Sequence, residues 1–267
     1  MKINTLAGAA LLALVPSGAS AVTGTLQGFY SPVLDTADMS GGKGTIDLFL
    51  DTGWGVEAAA GGAHISLPGS SIDYGNIGGT VFWRDGNLRL GVGAHYASML
   101  INVVTYGAGA EYDLEQWTIA ARAGGITGGY GAFTFDGGYF GAQAKFYATP
   151  DLVFHATLEH DAIASGHGTI MSLGGEWSFS ETMPISAIVG YTHVIGDAAT
   201  YDALFFAVKL YLDGEDAPLI ERQRSSELGF LGDFPIFSET GSGGPASIST
   251  TPPPPPPPPP PGGVIAL

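Results

Sequence analysis

The sequence predicts an all-β fold: an antiparallel up-and-down transmembrane β-barrel of about twelve strands, with ten as the alternative, followed by a disordered C-terminal tail. Residues 22–212 alternate between apolar and polar side chains with a period of two, the period of strands. Charged residues make up 13% of the chain, about half their share in ordinary soluble domains. Outside the N-terminus there is no run of about 20 apolar residues, which excludes helical membrane spans.

The alternation is clearest in the segment 202–212. Leu204, Phe206 and Val208 fall on one face of this segment, and Lys209 and Tyr211 fall on the other. The predicted strands have mostly the length that a tilted membrane strand requires, and the first two carry the weakest pattern. They are 22–31, 44–51, 54–65, 73–84, 87–98, 102–113, 116–125, 134–148, 151–161, 169–180, 183–195 and 202–212.

The connections between these strands alternate in length. Short turns are predicted at 51–53, 85–86, 114–115, 149–150 and 181–182. Longer loops are predicted at 32–43, 66–72, 99–101, 126–133, 162–168 and 196–201. Short periplasmic turns and longer external loops are typical of outer-membrane barrels. An even number of strands would place both termini at the periplasmic side.

The N-terminal residues 1–21 have the pattern of a signal peptide. Lys2 precedes a ten-residue apolar segment from Leu6 to Val15, and Pro16 ends it. Ala19, Ser20 and Ala21 form an A-x-A cleavage site. We therefore expect export, with cleavage after Ala21.

The tail, residues 213–267, loses the alternation and is predicted to be periplasmic and largely disordered. It is acidic at first, and for 220–231 a short helix and disorder both remain open. Ten prolines from Pro252 to Pro261 form a stiff polyproline II segment of about 31 Å. This segment is either a spacer or a binding site for a periplasmic partner.

The polar face carries too little charge to form a solvated outer surface, so we expect it to line the lumen while the apolar face contacts outer-membrane lipid. Five of the eight basic residues that remain after signal cleavage lie on this polar face. The predicted lumen-lining (pore) charges are Asp47, Glu57, Arg84, Arg89, His95, Glu111, Arg122, Lys145, His155, Glu159, Glu176 and Lys209.

All four tryptophans stand beside predicted short turns, with the parity of the apolar face. Tryptophan prefers the interface between membrane and water, so this placement predicts an aromatic belt at the turn side. The belt consists of Trp54, Trp83, Tyr112, Trp117, Phe146, Trp177 and Phe179.

These features predict a passive channel for small hydrophilic solutes, without cofactor, in which lumenal charges of both signs tune selectivity. The alternative is a non-conducting barrel whose lumen is occluded by salt bridges, with a structural role or with loops 32–43 and 126–133 as interaction surfaces. Twelve strands lie between small filled barrels and wide porins, so both interpretations remain open.

Other functions find little support in the sequence. The absence of cysteine excludes thiol chemistry, and a net charge of −16 argues against nucleic acid. His160, Asp161 and His167 lie in or directly beside one predicted loop, but no metal site is predicted from them. His155, Glu159 and Ser172 only faintly suggest a hydrolase triad, so we expect no enzyme.

The stretch from Tyr201 to Leu212, rich in alternating aromatic and apolar residues, resembles the last strand of bacterial outer-membrane β-barrel proteins. Residues 22–212 as a whole are similar to the porin-like members of that class. The resemblance implies location in the outer membrane of a Gram-negative bacterium and insertion by the barrel-assembly machinery. The stretch departs from the usual assembly signal because it lacks its glycine and is not at the end of the chain.

Overall fold

The computed structural model describes residues 21–33, 37–98, 101–130, 133–163, 166–180, 183–197, 200–212 and 217–225. These described residues form twelve strands and one helix, α1 (Leu219–Ser225). The strands are β1 (Ala21–Val33), β2 (Ala37–Phe49), β3 (Trp54–Leu67), β4 (Ser70–Asp85), β5 (Leu88–Ser98), β6 (Asn102–Asp113), β7 (Trp117–Tyr130), β8 (Phe133–Thr149), β9 (Leu152–Ile163), β10 (Gly166–Ser180), β11 (Met183–Gly196) and β12 (Thr200–Tyr211).

The strands form one closed barrel in which each strand pairs antiparallel with its neighbours in sequence. The last strand, β12, pairs with β1 through partners such as Leu26 and Leu210, so the sheet has no free edge. The twelve-stranded antiparallel barrel predicted from the sequence is therefore confirmed, and the ten-stranded alternative is wrong.

The connections at the two ends of the barrel differ less in length than the sequence predicted. We call the end with connections 50–53, 86–87, 114–116 and 150–151 the lower end, and the opposite end the upper end. The predicted upper loop 32–43 is wrong, because its residues continue β1 and β2 as paired strands up to Val33 and Ala37. The predicted loop 126–133 is wrong for the same reason, since Tyr130 is still paired with Phe133.

The physical reason for these two errors is that the ladder continues where the apolar pattern stops. Backbone groups pair irrespective of side-chain polarity. Segment 37–43 contains a serine, an aspartate and two glycines, so the sequence predicts a loop there. Loss of alternation marks the edge of the apolar band on the outer surface rather than the end of the strand.

The barrel has apolar side chains outside and polar side chains inside. In β12, Val208 is 56% exposed on the outer face, whereas its neighbour Lys209 is 1% exposed on the inner face. The same alternation occurs in β10, where Leu173 points outward and Ser172 is buried. This polarity is the reverse of a soluble barrel. Among the described residues, no helix has the length and apolarity needed to cross a membrane.

The predicted signal peptide and the predicted disordered tail lie largely outside the described residues. Residues 1–20 of the predicted signal peptide, and 213–216 and 226–267 of the tail, are not described. Ala21, the predicted last residue of the signal, is the first residue of β1. In the segment left open between helix and disorder, residues up to Ser225 are helical.

A row of glycines crosses β5, β6 and β7, where Gly93, Gly107 and Gly124 are direct partners. A Cβ atom added to Gly124 would overlap the carbonyl oxygen of Tyr106 and lie 2.7 Å from the hydroxyl oxygen of Tyr139. The row therefore gives the Tyr139 side chain room against the inner wall and lets these strands approach closely.

We predict that Gly124→Ala lowers the free energy of unfolding by about 1–3 kcal/mol, because the added methyl group must displace backbone. The matched control is Gly28→Ala, where an added Cβ meets nothing within 4 Å. Urea unfolding of the two purified variants in the same detergent gives the comparison. Equal unfolding midpoints for both variants would show that the glycine row is not required for close packing.

Candidate functional site: the barrel interior

All lysines and arginines among the described residues lie inside the barrel or at its lower mouth. The chain has nine such residues, of which Lys2 is not described. The other eight are Lys43, Arg84, Arg89, Arg122, Lys145, Lys209, Arg222 and Arg224. The sequence predicted five of them as inward-facing. Lys43 was missed because its segment was assigned to a loop, whereas it pairs with the buried Gln27 of β1.

The structure places the twelve predicted lumen charges on inward-facing strand positions. Ten of them are buried, and Arg84 and His155 are partly buried. Asp113 is a further buried carboxylate that the sequence reasoning missed, because it stands at the boundary between a strand and a turn. Buried charges of this kind require partners.

One network connects β5 and β6 near the lower end. Arg89 stands directly opposite Glu111, with its Nη1 3.2 Å from Glu111 Oε2. Its Nη2 donates to both carboxylate oxygens of Asp113, at 3.2 and 3.1 Å. The Thr118 hydroxyl of β7 also donates to Asp113, at 2.6 Å. The arginine therefore neutralises two carboxylates that follow each other on one face of β6.

A second network surrounds Glu176 of β10. The hydroxyls of Ser186 and Tyr211 both donate to one of its carboxylate oxygens, the latter at 2.7 Å. The ammonium of Lys209 lies 3.9 Å from the other carboxylate oxygen. The carboxylate thus links β10 to β11 and β12.

A third ion pair, at mid-height, joins two strands that are separated by one strand. Arg122 of β7 donates from Nη2 to Glu159 Oε1 of β9, at 2.6 Å. Gly141 of β8 stands between them, as the direct partner of both residues. Because glycine has no side chain, the arginine can pass over β8 to reach the carboxylate. Asp47 and Glu57, also directly opposite each other, place two further buried carboxylates on β2 and β3.

The upper part of the inner wall is apolar, which the sequence reasoning did not predict. Tyr74, Ala97, Val103, Ile126 and Tyr139 form one buried cluster across β4 to β8. A smaller cluster at the same end contains Ile170, Val194 and Tyr201. The sequence contains a signal for this cluster, because apolar residues occupy the otherwise polar, inward-facing positions near the upper ends of these strands. The interior therefore has most of its charges in the lower part and apolar clusters in the upper part.

Helix α1 is seated in the lower mouth. Leu219 is 0% exposed and packs with Tyr147, Val153 and Tyr211 of the inner wall. Its neighbour Ile220 packs against the same cluster and donates its backbone N–H to the carbonyl oxygen of Pro150, at 3.0 Å. The sequence left a helix in this segment open but contained no signal for its position.

The C-terminal half of α1 binds the mouth through polar groups. Gln223 donates to Glu176 at 2.8 Å and accepts from the Tyr147 hydroxyl at 3.1 Å. Arg224 donates to the carbonyl oxygens of Leu114 and Trp117, the latter at 3.0 Å. The Arg224 guanidinium also lies 3.5 Å from Asp113 and 4.9 Å from the Tyr147 ring centroid.

The predicted belt residues lie near the lower end, on or beside the outer surface. Trp54 and Trp83 are direct partners on β3 and β4. The rings of Trp117 and Phe146 lie 4.7 Å apart, and those of Trp177 and Phe179 lie 5.2 Å apart. Tyr112 is exposed at the same level.

A second set of outward aromatic residues lies near the upper end. Tyr30, Tyr96 and Tyr191 donate hydrogen bonds to Asp38, Asn102 and Asp202, respectively. Tyr96 is eight residues beyond Leu88, which stands opposite the belt residue Tyr112. The two aromatic levels are therefore separated by about 26 Å along the strand. The surface between them consists largely of exposed apolar side chains.

Residues of the two weaker candidate sites, the metal site and the hydrolase triad, have other contacts in the structure. The rings of His160 and His167 stack at 6.0 Å, but no group of three or more His, Asp or Glu residues in the described part of the chain is placed to hold a metal. The Ser172 hydroxyl bonds that of Thr192, and Glu159 pairs with Arg122. These contacts direct Ser172 and Glu159 to different partners.

Comparison with known proteins finds similarity in structure only. No family model and no curated protein matches the sequence. Among solved structures, the NanC porin superposes with a TM-score of 0.56 at 9% identity, covering 70% of this chain and 98% of that one. An outer membrane channel from Pseudomonas putida F1 gives 0.54 at 14% identity, covering 74% and 96%.

The KdgM porin gives a TM-score of 0.52 at 8% identity and covers 70% of this chain and 98% of that one. At such low identity these likenesses concern the fold alone. Together with the closed twelve-stranded ladder, they show that the chain has the fold of a porin-like outer-membrane β-barrel.

Proposed function

We propose that the barrel spans a bacterial outer membrane with its lower end in the periplasm. An apolar outer band between two aromatic levels supports the membrane-spanning position, because aromatic girdles flank the apolar zone of such barrels. In addition, the outward face of the described strands carries no lysine or arginine. The signal peptide 1–21 would supply export, and β12, as the last strand, would be the segment that the barrel-assembly machinery recognises.

We infer that this barrel is a porin-like channel for passive diffusion of small hydrophilic solutes. The observation that carries the inference is the segregation of charges of both signs into the interior of a porin-fold barrel. The twelve inward charges would impose a local field on a solute, which is how charged linings tune selectivity. The KdgM porin has been solved in complex with disordered oligogalacturonate, so an acidic saccharide is a suitable first solute to test.

A second candidate function is a non-conducting barrel with a structural or surface-interaction role. Two observations favour it. Interior charges such as Arg89 and Arg122 are only 4% exposed and are held in ion pairs. Helix α1 also stands in the lower mouth. Both candidates share the same membrane location and differ in whether solutes pass.

Planar-bilayer recording with the purified full-length barrel separates the two candidates. We expect discrete conductance steps in potassium chloride, and partial block or altered current when oligogalacturonate is added. The same preparation unfolded by heat serves as the control. A folded barrel that stays electrically silent would reject the channel and favour the non-conducting role.

We predict that an arginine on the outer surface at mid-height impairs membrane insertion, as expected if this surface contacts lipid. Val208→Arg should cost about 2–4 kcal/mol, whereas the same change near the interface costs about 0–1 kcal/mol. Thr200→Arg, on the same face of β12 at its upper end, is the matched control. Folding yields into lipid vesicles measure the difference. Equal yields for both variants would contradict a lipid-facing surface at Val208.

We predict that Arg122 and Glu159, the ion pair at mid-height, are energetically coupled in the folded barrel. Glu159→Gln should lower the free energy of unfolding by about 3–5 kcal/mol, because it leaves the buried Arg122 without that carboxylate. The double variant Arg122→Met/Glu159→Gln should lose less than the sum of the two single changes. Urea titration of all four proteins completes the cycle. Strict additivity would show that the two residues do not interact.

A further inference from the structure

We propose that helix α1 is a tethered plug, and that the inner surface of the lower mouth is a docking site for this segment of the chain. Solute passage then requires α1 to leave its seat. The inference rests on the proposed channel function. It adds a controlling element that neither the strand pattern nor the resemblance to porins contains.

The seat has an apolar part that fits α1. Tyr147, Val153 and Tyr211 come from three different strands and converge on Leu219 at the lower mouth. Tyr211 and Val153 are nearly inaccessible with α1 in place. A helix of seven residues is marginal in water by itself, so α1 depends on this seat for its stability.

The seat also has a polar part that is matched to the end of α1. Arg224 donates hydrogen bonds to backbone carbonyls at the connection between β6 and β7. These bonds attach the end of α1 to the edge of the lower mouth. The carbonyl oxygen of Arg224 accepts from the guanidinium of Arg84, at 2.7 Å, so β4 is contacted as well. Through Gln223, α1 also reaches Glu176 of β10. The contacts thus span the mouth from one side of the barrel to the other.

Removal of α1 leaves the barrel wall intact. The ladder closes between β1 and β12 without any contribution from the helix, and the N–H of Leu212 still bonds the carbonyl oxygen of Gly24. The carbonyls that Arg224 occupies lie at a turn, where water can replace the guanidinium. The plug can therefore leave at the cost of its docking contacts alone.

The plug also sets the charge of the mouth. Helix α1 carries Arg222, Arg224 and Glu221, a net charge of +1. Arg224 lies 3.5 Å from Asp113, and Arg222 lies over the ring of Tyr211, whose hydroxyl bonds Glu176. When α1 leaves, Asp113 and Glu176 stay on the wall while the net positive charge of the helix departs. The open mouth then favours cations more strongly than the plugged one.

A disulfide lock tests the plug directly. The chain has no cysteine, and the backbones of Pro150 and Ile220 are joined by a hydrogen bond of 3.0 Å, so their Cα atoms lie within reach of a disulfide. In Pro150→Cys/Ile220→Cys we expect cross-linking on oxidation, loss of conductance, and recovery on reduction. The single variant Ile220→Cys is the control and should not respond to oxidation.

The results of this experiment separate the two proposals. A cross-linked barrel that conducts as well as the reduced one overturns the plug, and so does failure of the cysteines to cross-link in the folded barrel. Cross-linking in a barrel that is silent in both redox states overturns the channel function, and with it the gating role, while the docking site is retained.

Weakening the seat gives an independent measurement. Arg224→Ala/Gln223→Ala removes several hydrogen bonds, one of them to a carboxylate, and should raise the open fraction by about tenfold or more. The reversal potential in a salt gradient should shift toward cation preference. Glu221→Ala, on the exposed side of the same helix, is the control and should leave the open fraction unchanged. An open fraction and reversal potential unchanged in the double variant would contradict the plug.

Discussion

The rest of the structure depends on the pairing of β1 with β12. This ladder closes the sheet, so the backbone polar groups of the wall are satisfied within the barrel and no edge is left open. Only a closed wall of this kind can present a continuous apolar outer surface, because none of its backbone groups needs water. The low charge of the chain agrees with an apolar outer surface, and its many glycines allow close packing within the wall.

Closure also determines what happens to the charged residues. With apolar side chains directed outward, the alternating positions can only point inward, and six of the eight lysines and arginines of the described residues lie there. Their energetic cost is offset by contacts that run around the barrel, from Arg89 to Glu111 and from Arg122 across Gly141 to Glu159. Glycine has two uses in this arrangement: it lets side chains cross a strand, and it makes room for the buried Tyr139.

Helix α1 brings the two candidate functions together in one structure. In our proposal, passage and occlusion are two states of one protein, with α1 leaving or occupying the lower mouth. The contacts of Arg224 and Gln223 with the lower mouth would then set the balance between these states.

From the sequence alone came the antiparallel barrel class, a count of about twelve strands with ten left open, and the face on which residues such as Arg122, Glu159 and Lys209 lie, because a period of two is a local property of each strand. Only the tertiary structure decided which charges meet, since the Arg122–Glu159 pair depends on the registers of three strands. It likewise revealed the inward position of Lys43, in a segment where pairing continues without apolar alternation. The seat of α1 had no local signal either, because it is formed by residues that are far apart in sequence and that only the closed barrel brings together.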